Sequence, residues 1–246
     1  MWLLKERRQA VIVAILGMAF VCVAWFFGVV FIGRLAFPVQ NPAAGSEEIA
    51  QFYVEHQTRI LFACFVMLCG TAALGPWGGV IAAMTRRIES GLPIWTYTQI
   101  ACLAFAVFDL SMAAMFWAVA AYRAGAQHPD ITQMLNDVAW FFALIPFQPY
   151  TVWLIAIAVP ILRARPENTT LPRWSAYMSL LVGFVFVLDG LMMFFKSGPL
   201  AYDGFLAFYV PFVFFGLWIM FMTVAIWQGL RTCPRGEDLA TVPSPV

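Results

Sequence analysis

Six long apolar segments, separated by short polar ones, dominate the pattern of the chain. They cover approximately residues 11–33, 60–84, 95–122, 138–162, 175–195 and 204–227. An α-helix of about 20 apolar residues spans the roughly 30 Å hydrocarbon core of a bilayer. Strands of a membrane barrel would instead alternate apolar and polar residues with a period of two. The pattern therefore predicts an all-α integral membrane protein built as a bundle of six transmembrane helices.

The same pattern predicts the domain organisation. We expect residues 1–232 to form a single six-helix transmembrane domain. Residues 233–246 are polar and contain three prolines. Because chain ends of this kind are poorly ordered, we expect them to form a flexible cytoplasmic tail.

Composition excludes a water-soluble fold and a nucleic-acid partner. Apolar residues make up 63% of the 246 residues and charged residues only 11%, against about 45–50% and about 25% in soluble domains. The formal net charge is +1 and there is no basic run, whereas nucleic-acid-binding domains carry a basic patch. The expected partners are the lipid bilayer and a small hydrophobic ligand, and a homo-oligomer is compatible with the composition.

The distribution of Lys and Arg predicts the orientation. If the N-terminus is cytoplasmic, ten of the 14 basic residues fall in cytoplasmic segments and four in outer segments. The four outer residues are Arg34, Arg59, Arg123 and Lys196. Because cytoplasmic loops are enriched in Lys and Arg, we expect both termini to be cytoplasmic in a bacterial-type inner (plasma) membrane.

Two pairs of spans share a sequence pattern that suggests an internal repeat. A Leu-Pro-x-Trp motif precedes spans three and five, at residues 92–95 and 171–174, and Asp109 and Asp189 follow the Trp residues at spacings of 14 and 15. Acidic residues also open the outer segments before spans two and four, which predicts short amphipathic interface helices, the first capped by Ser46. The interpretation is three tandem two-helix units of about 80 residues. Apolar helices also resemble one another by composition alone.

Asp109 and Asp189 are the main candidates for a ligand or proton site. A carboxylate deep in a span costs about 2.5–3.5 kcal/mol on insertion scales and faces the bundle interior. Helical spacing places Met112 on the face of Asp109, and Met192 and Lys196 on the face of Asp189. The alternative is that each Asp only forms a structural hydrogen bond between helices.

Prolines and glycines predict irregular helices around these carboxylates. Pro146 and Pro149 interrupt the fourth span near its middle, where backbone carbonyls lose their helical partners and need others. Gln148, between the two prolines, and Tyr150, directly after them, are candidates to bond these carbonyls or to bind a ligand. In the second span, Gly75 and Gly79 would permit close helix approach. With the Asp residues, these breaks outline a central cavity.

The leading functional hypothesis is binding or transport of a small, largely apolar or aromatic solute, with proton coupling through the intramembrane Asp residues left open. A Phe-, Trp- and Met-rich interior with few polar groups is typical of such pockets. One alternative is a membrane enzyme with an Asp general acid–base; no nucleophile, metal set or cofactor motif accompanies the carboxylates. Another is a non-catalytic accessory subunit of a membrane complex. Because the two histidines both lie in outer segments, no haem, metal or other cofactor is expected.

Overall fold

The computed structural model describes residues 2–36, 39–165 and 169–232. Within these ranges the chain is all-helical, with eight α-helices: α1 Trp2–Phe26, α2 Ser46–Ala72, α3 Leu74–Arg86, α4 Ile94–Tyr122, α5 Pro129–Leu144, α6 Phe147–Arg163, α7 Arg173–Asp189 and α8 Val210–Thr232. Short turns extend three of them. A π-helical turn Phe27–Ile32 follows α1, a 3₁₀ turn Gly190–Phe194 follows α7, and a π-helical turn Phe205–Tyr209 precedes α8. The predicted tail, residues 233–246, lies outside the described residues.

These helices combine into six segments that are long and apolar enough to cross a membrane. They run over Arg8–Ile32, Ser46–Arg86, Ile94–Tyr122, Pro129–Arg163, Arg173–Phe194 and Phe205–Arg231. Their outward faces are apolar, as shown by exposed side chains such as Phe20, Phe65 and Phe184. The prediction of six apolar helices of spanning length is therefore confirmed.

The N-terminal ends of two spans differ from the prediction of separate interface helices. α2 runs without interruption from Ser46, and α5 from Pro129. Glu47, Glu48 and Asp130 lie in the first turns of these helices, where negative charge stabilises the helix dipole. Nothing breaks the helix behind them, so the amphipathic segments are the first turns of the long helices. Ser46 is also not the cap, because Gly45 occupies that position without a side-chain hydrogen bond.

Close helix approach occurs at glycines other than the expected pair. A Cβ on Gly75 or Gly79 would meet no atom within 4 Å, whereas a Cβ on Gly78 would lie 2.7 Å from the Leu103 side chain. The buried face of α3 includes Leu74, Trp77, Gly78 and Ile81, and Gly75 and Gly79 lie off this face. Gly70 of α2 is another tight position, with its missing Cβ against Ala24 of α1.

The core consists of two clusters at opposite ends of the bundle. The Trp77 cluster includes Trp77, Trp153 and Trp218, whose rings meet edge to face with centroids 5.4–6.4 Å apart. The Trp140 cluster includes Trp117 and Trp140, with centroids 5.1 Å apart. On α4 the boundary between the clusters falls between Leu110 and Ala113.

Helical geometry changes at the level where the two clusters meet. In the described residues, five of the six segments change there: α1 gives way to its π-helical turn at Phe27, α2 stops before Ala73, α5 stops before Ile145, α7 ends at Asp189, and α8 begins after the π-helical turn. Only α4 continues through. The predicted interruption of span four is therefore one of these five changes in helical geometry at the level where the two clusters meet. The breaks at Ala73 and Ile145 come 27 and 16 residues after the starts of their helices, so the tandem repeat remains a hypothesis.

Candidate functional site

A cavity of about 480 Å³ lies at the junction of the two clusters. Its wall includes Val21 and Phe186 from the Trp77 cluster, and Trp117, Trp140 and Phe208 from the Trp140 cluster. α1, α4, α5, α7 and α8 all contribute. Ligand pockets in proteins commonly occupy about 300–1,000 Å³ with mostly apolar walls. This main cavity therefore has the size and the lining of a site for a small apolar molecule.

Asp189 supplies the carboxyl group in the wall of the main cavity. It is the last residue of α7, and it exposes only 2% of its surface. Its Oδ1 atom is occluded and has no hydrogen-bond partner. Among the residues that the structure describes, none forms a side-chain hydrogen bond or an ion pair with the Asp189 carboxyl group.

Gly190 explains how the chain brings Asp189 to this position. A Cβ at residue 190 would collide with the ring of Phe147, which begins α6. Only glycine allows the end of α7 to come this close to the broken middle of span four. Asp189 therefore lies beside Pro146 and Phe147, as their shared lining of a second cavity shows.

This second, side cavity is small, about 50 Å³, and adjoins the main one. The two cavities share Leu110, Ala143, Leu144, Phe186, Asp189 and Phe215. Tyr150 of α6 lines only the side cavity. The ring of Tyr150 lies 5.5 Å from that of Phe186 and 5.9 Å from that of Phe215, and the two Phe rings are 5.5 Å apart. Four aromatic residues, these three and Phe147, thus line the side cavity together with Asp189. The space fits one small chemical group.

Asp109 has a different environment from Asp189. It is completely buried in α4 and lines neither cavity. The hydroxyl of Tyr150 donates a hydrogen bond of 3.3 Å to its Oδ2, while Oδ1 has no partner among the described residues. α6 packs against both α4 and α7. Asp109 therefore forms a hydrogen bond between α4 and α6, and Tyr150 contacts both this carboxyl group and the side cavity that Asp189 lines.

Four other candidate residues do not line either cavity. Met112 is half-buried on α4, Met192 is buried in the Trp140 cluster, and Gln148 is exposed on α6. Lys196 is exposed beyond the 3₁₀ turn and interacts electrostatically with Asp137. Helical spacing placed Met112, Met192 and Lys196 on the faces of the Asp residues, and Gln148 was a candidate because of the neighbouring prolines. The interruption of α7 after Asp189 separates Lys196 from the Asp189 face.

The sequence analysis did not single out Trp117 and Trp140. Both residues belong to the Trp140 cluster and line the main cavity. The indole N–H groups of both are buried and have no hydrogen-bond partner within the described part of the chain. Trp140 stacks on Tyr202 with ring centroids 5.3 Å apart. Nothing in the sequence distinguishes them from the other Trp residues of the spans.

Polar side chains next to Trp140 connect α5 to neighbouring segments. The Tyr53 hydroxyl donates a 2.9 Å hydrogen bond to Asn136, and the Tyr202 hydroxyl donates a 3.4 Å bond to Asp137. Tyr202 lies outside the candidate spans. Its burial and then the nearby Asp137 carboxylate raise the pKa of the Tyr202 hydroxyl well above the usual value, so Tyr202 remains a hydrogen-bond donor.

The main cavity opens between α1 and α8. Several of its lining residues are also exposed on the outer surface of the bundle: Val23, Phe26 and Phe27 on the α1 side, and Val213, Leu217 and Met220 on α8. This mouth is bordered by apolar side chains. It therefore faces whatever medium surrounds the apolar outer surface of the helices.

No protein family model, curated protein or solved structure matches the chain. In the described residues, no three His, Cys, Asp or Glu side chains are grouped so that they could hold a metal ion.

Proposed function

We propose that the chain is a multi-pass protein of a bacterial-type inner membrane, with both termini cytoplasmic, that binds or transports a small, largely apolar or aromatic solute. The observation that carries the proposal is the main cavity of about 480 Å³ with aromatic walls and the cavity-facing Asp189. The mouth between α1 and α8 supports it, because an apolar solute dissolved in a bilayer would meet that opening directly.

The apolar outer surface supports the membrane location. Exposed side chains on all six candidate spans include large apolar groups, among them Phe62, Tyr97 and Phe205. Soluble monomers rarely expose contiguous apolar patches of more than a few hundred Å². A bilayer is an environment in which such a surface is not destabilising.

Binding is favoured over catalysis by the lining of the main cavity. Among the described residues, its lining includes Asp189 and Cys22 but no His, Ser or Lys to act with the carboxyl group. General acid–base chemistry usually needs a positioned partner or nucleophile. A single carboxyl group in an aromatic cavity is sufficient to orient a ligand.

Filling the main cavity tests the proposal. Gly216 lies in the wall on α8, and a Cβ there would meet no atom within 4 Å. Gly216→Leu should therefore fold normally and occupy the space of the solute. The neutral aromatic probe is 1-methylpyrene, and its binding in nanodiscs is followed as saturable energy transfer from Trp. The apparent affinity of Gly216→Leu for this probe should be lower than that of the unmodified chain by about tenfold or more.

Gly79→Leu is the matched control. Gly79 is also a helical glycine at which an added Cβ would meet no atom within 4 Å, but it lies on α3 and lines neither cavity. The Gly79→Leu variant should bind 1-methylpyrene with the same affinity as the unmodified chain. Absence of saturable binding to the unmodified chain, or equal losses in both variants, would contradict the proposal.

Proton coupling is the second part of the proposal, and the geometry favours Asp189 for it over Asp109, because only Asp189 lines the main cavity. In proteoliposomes loaded with a red-emitting pH dye, 1-methylpyrene should cause a pH change that Asp189→Asn abolishes. If the pH change persists in Asp189→Asn, the proposal of proton coupling through Asp189 is wrong, and the binding proposal is unaffected.

A further inference from the structure

The charge pattern around Asp189 restricts the class of solute. Among the residues that the structure describes, the lining of the two cavities includes no Lys or Arg. The single ion pair found in this part of the chain joins His128 and Asp130 at the start of α5. A carboxyl group in an apolar site is stable as a carboxylate only when it is paired or hydrogen-bonded, and otherwise it takes up a proton. A ligand that carries a cationic donor would supply the partner that the ionised form of Asp189 lacks.

The side cavity has the features of an ammonium site. The rings of Tyr150, Phe186 and Phe215 line it and contact one another with centroids 5.5–5.9 Å apart, and Asp189 lines it as well. Aromatic rings attract cations through their negative faces, and ammonium groups are commonly bound in cages of such rings. The volume of about 50 Å³ compares with the roughly 30 Å³ that a water molecule occupies in the liquid. It admits a small head group but not a ring system.

The main cavity has the features of a site for the apolar part of such a molecule. It adjoins the side cavity, with which it shares wall residues, and it is almost ten times larger, at about 480 Å³ against about 50 Å³. Apart from Cys22, its remaining lining is apolar, with aromatic and aliphatic side chains. A molecule with a small charged head and a bulky apolar body matches the two spaces in both size and chemistry.

We propose that the solute is an organic amine cation with an apolar ring body, whose ammonium group pairs with Asp189 inside the Tyr150–Phe186–Phe215 cage while the body occupies the main cavity. The proposal rests on the proposed function and specifies its ligand. Because the mouth is bordered by exposed apolar side chains on α1 and α8, the amine reaches the site from the bilayer, in which amphiphilic amines concentrate.

Three probes of one shape test the ammonium assignment: 1-pyrenemethylamine, 1-pyrenemethanol and 1-methylpyrene. Binding is followed by energy transfer from Trp in nanodiscs of phosphatidylcholine, which carries no net charge that would enrich the amine. The amine should bind the unmodified chain about tenfold or more tighter than 1-methylpyrene, with the alcohol between them. Equal affinities of amine and alcohol would overturn the assignment of an ammonium ligand.

Asp189→Asn should reduce the affinity for the amine by about tenfold or more and leave that for 1-methylpyrene within about twofold. Asp109→Asn is the matched control, since Asp109 is an equally buried carboxyl group that lines neither cavity. It should leave the preference for the amine unchanged. Equal losses in the two variants, or an unchanged preference in Asp189→Asn, would overturn the proposal. Failure of 1-methylpyrene itself to bind would instead refute the proposed function.

Discussion

At the scale of single residues, the carboxyl groups of Asp109 and Asp189 have different surroundings. Both are buried within apolar helices of spanning length, as the cost of exposing a carboxylate to an apolar medium predicts. Asp109 accepts a hydrogen bond from Tyr150, whereas Asp189 has no partner among the described residues and lines the cavities. One residue thus connects two helices, and the other remains available to a ligand.

Tyr150→Phe tests the connection between α4 and α6. Removing the hydroxyl leaves Oδ2 of the buried Asp109 without its donor, and an unsatisfied buried polar group costs about 1–3 kcal/mol. The ligand-free protein in detergent should therefore unfold at a lower temperature. Tyr177→Phe, at an exposed position of α7, should leave the melting temperature nearly unchanged. Equal melting temperatures for both variants and the unmodified chain would show that the bond does not contribute to stability.

The sequence could predict the burial of these carboxyl groups but not their difference. Burial follows from the charge of Asp and the apolar span around it. The partner of Asp109 depends on the break at Ile145, which sets the start of α6 and with it the direction of Tyr150. That direction results from tertiary packing, which helical spacing along one span does not contain.

At the scale of helices, the changes of geometry at one level create the space for the cavities. A continuous α-helix presents a regular surface that neighbours can fill. π-helical turns insert an extra residue and are frequent at functional sites, and two of them, at Phe27–Ile32 and Phe205–Tyr209, contribute residues to the wall of the main cavity. Prolines predicted the interruption in span four, but the π-helical turn after α1 has no proline or other sequence signal.

Gly70 and Gly79 provide a test of helix packing. Gly70→Ala places a methyl group against Ala24 and should force α1 and α2 apart, which typically costs about 1–3 kcal/mol. Gly79→Ala adds a methyl group in open space and should be neutral or stabilise the helix by about 0.5–1 kcal/mol. Thermal unfolding in detergent compares the two. A destabilised Gly79→Ala together with a normal Gly70→Ala would contradict the packing described for α1 and α2.

Small-residue spacing was a poor guide to these contacts, for a physical reason. Gly75 and Gly79 have the four-residue spacing that is typical of close helix pairs, yet they lie off the face that Leu74, Trp77 and Gly78 bury. A glycine permits close approach only if a neighbouring helix lies on its side. Which side is occupied depends on the arrangement of all the helices.

At the scale of the whole molecule, hydrogen bonds between helices stabilise the two ends of the bundle. In the Trp77 cluster, Trp77 donates to Thr223 and Trp218 donates to Ser179, both at 2.9 Å. In the Trp140 cluster, Tyr53 donates to Asn136 at 2.9 Å. The cavities lie between these tied regions. A ligand can therefore be accommodated at the junction without disturbing either cluster.

The orientation of this bundle in the membrane gives the last prediction. Ten basic residues flank the ends of the spans that we propose to be cytoplasmic, against four at the other ends. We expect this asymmetry to set the orientation, because cytoplasmic loops are enriched in Lys and Arg. Reporter fusions after Met84 and after Tyr122 should consequently lie on opposite sides: green fluorescent protein should fluoresce only in the first, and alkaline phosphatase should be active only in the second. A fusion at the C-terminus should behave like the one after Met84, since an even number of spans returns the chain to the cytoplasm. Reporters on the same side at Met84 and Tyr122 would mean that α4, which carries Asp109, does not cross the membrane, and the proposed route from the bilayer to Asp189 would then be wrong as well.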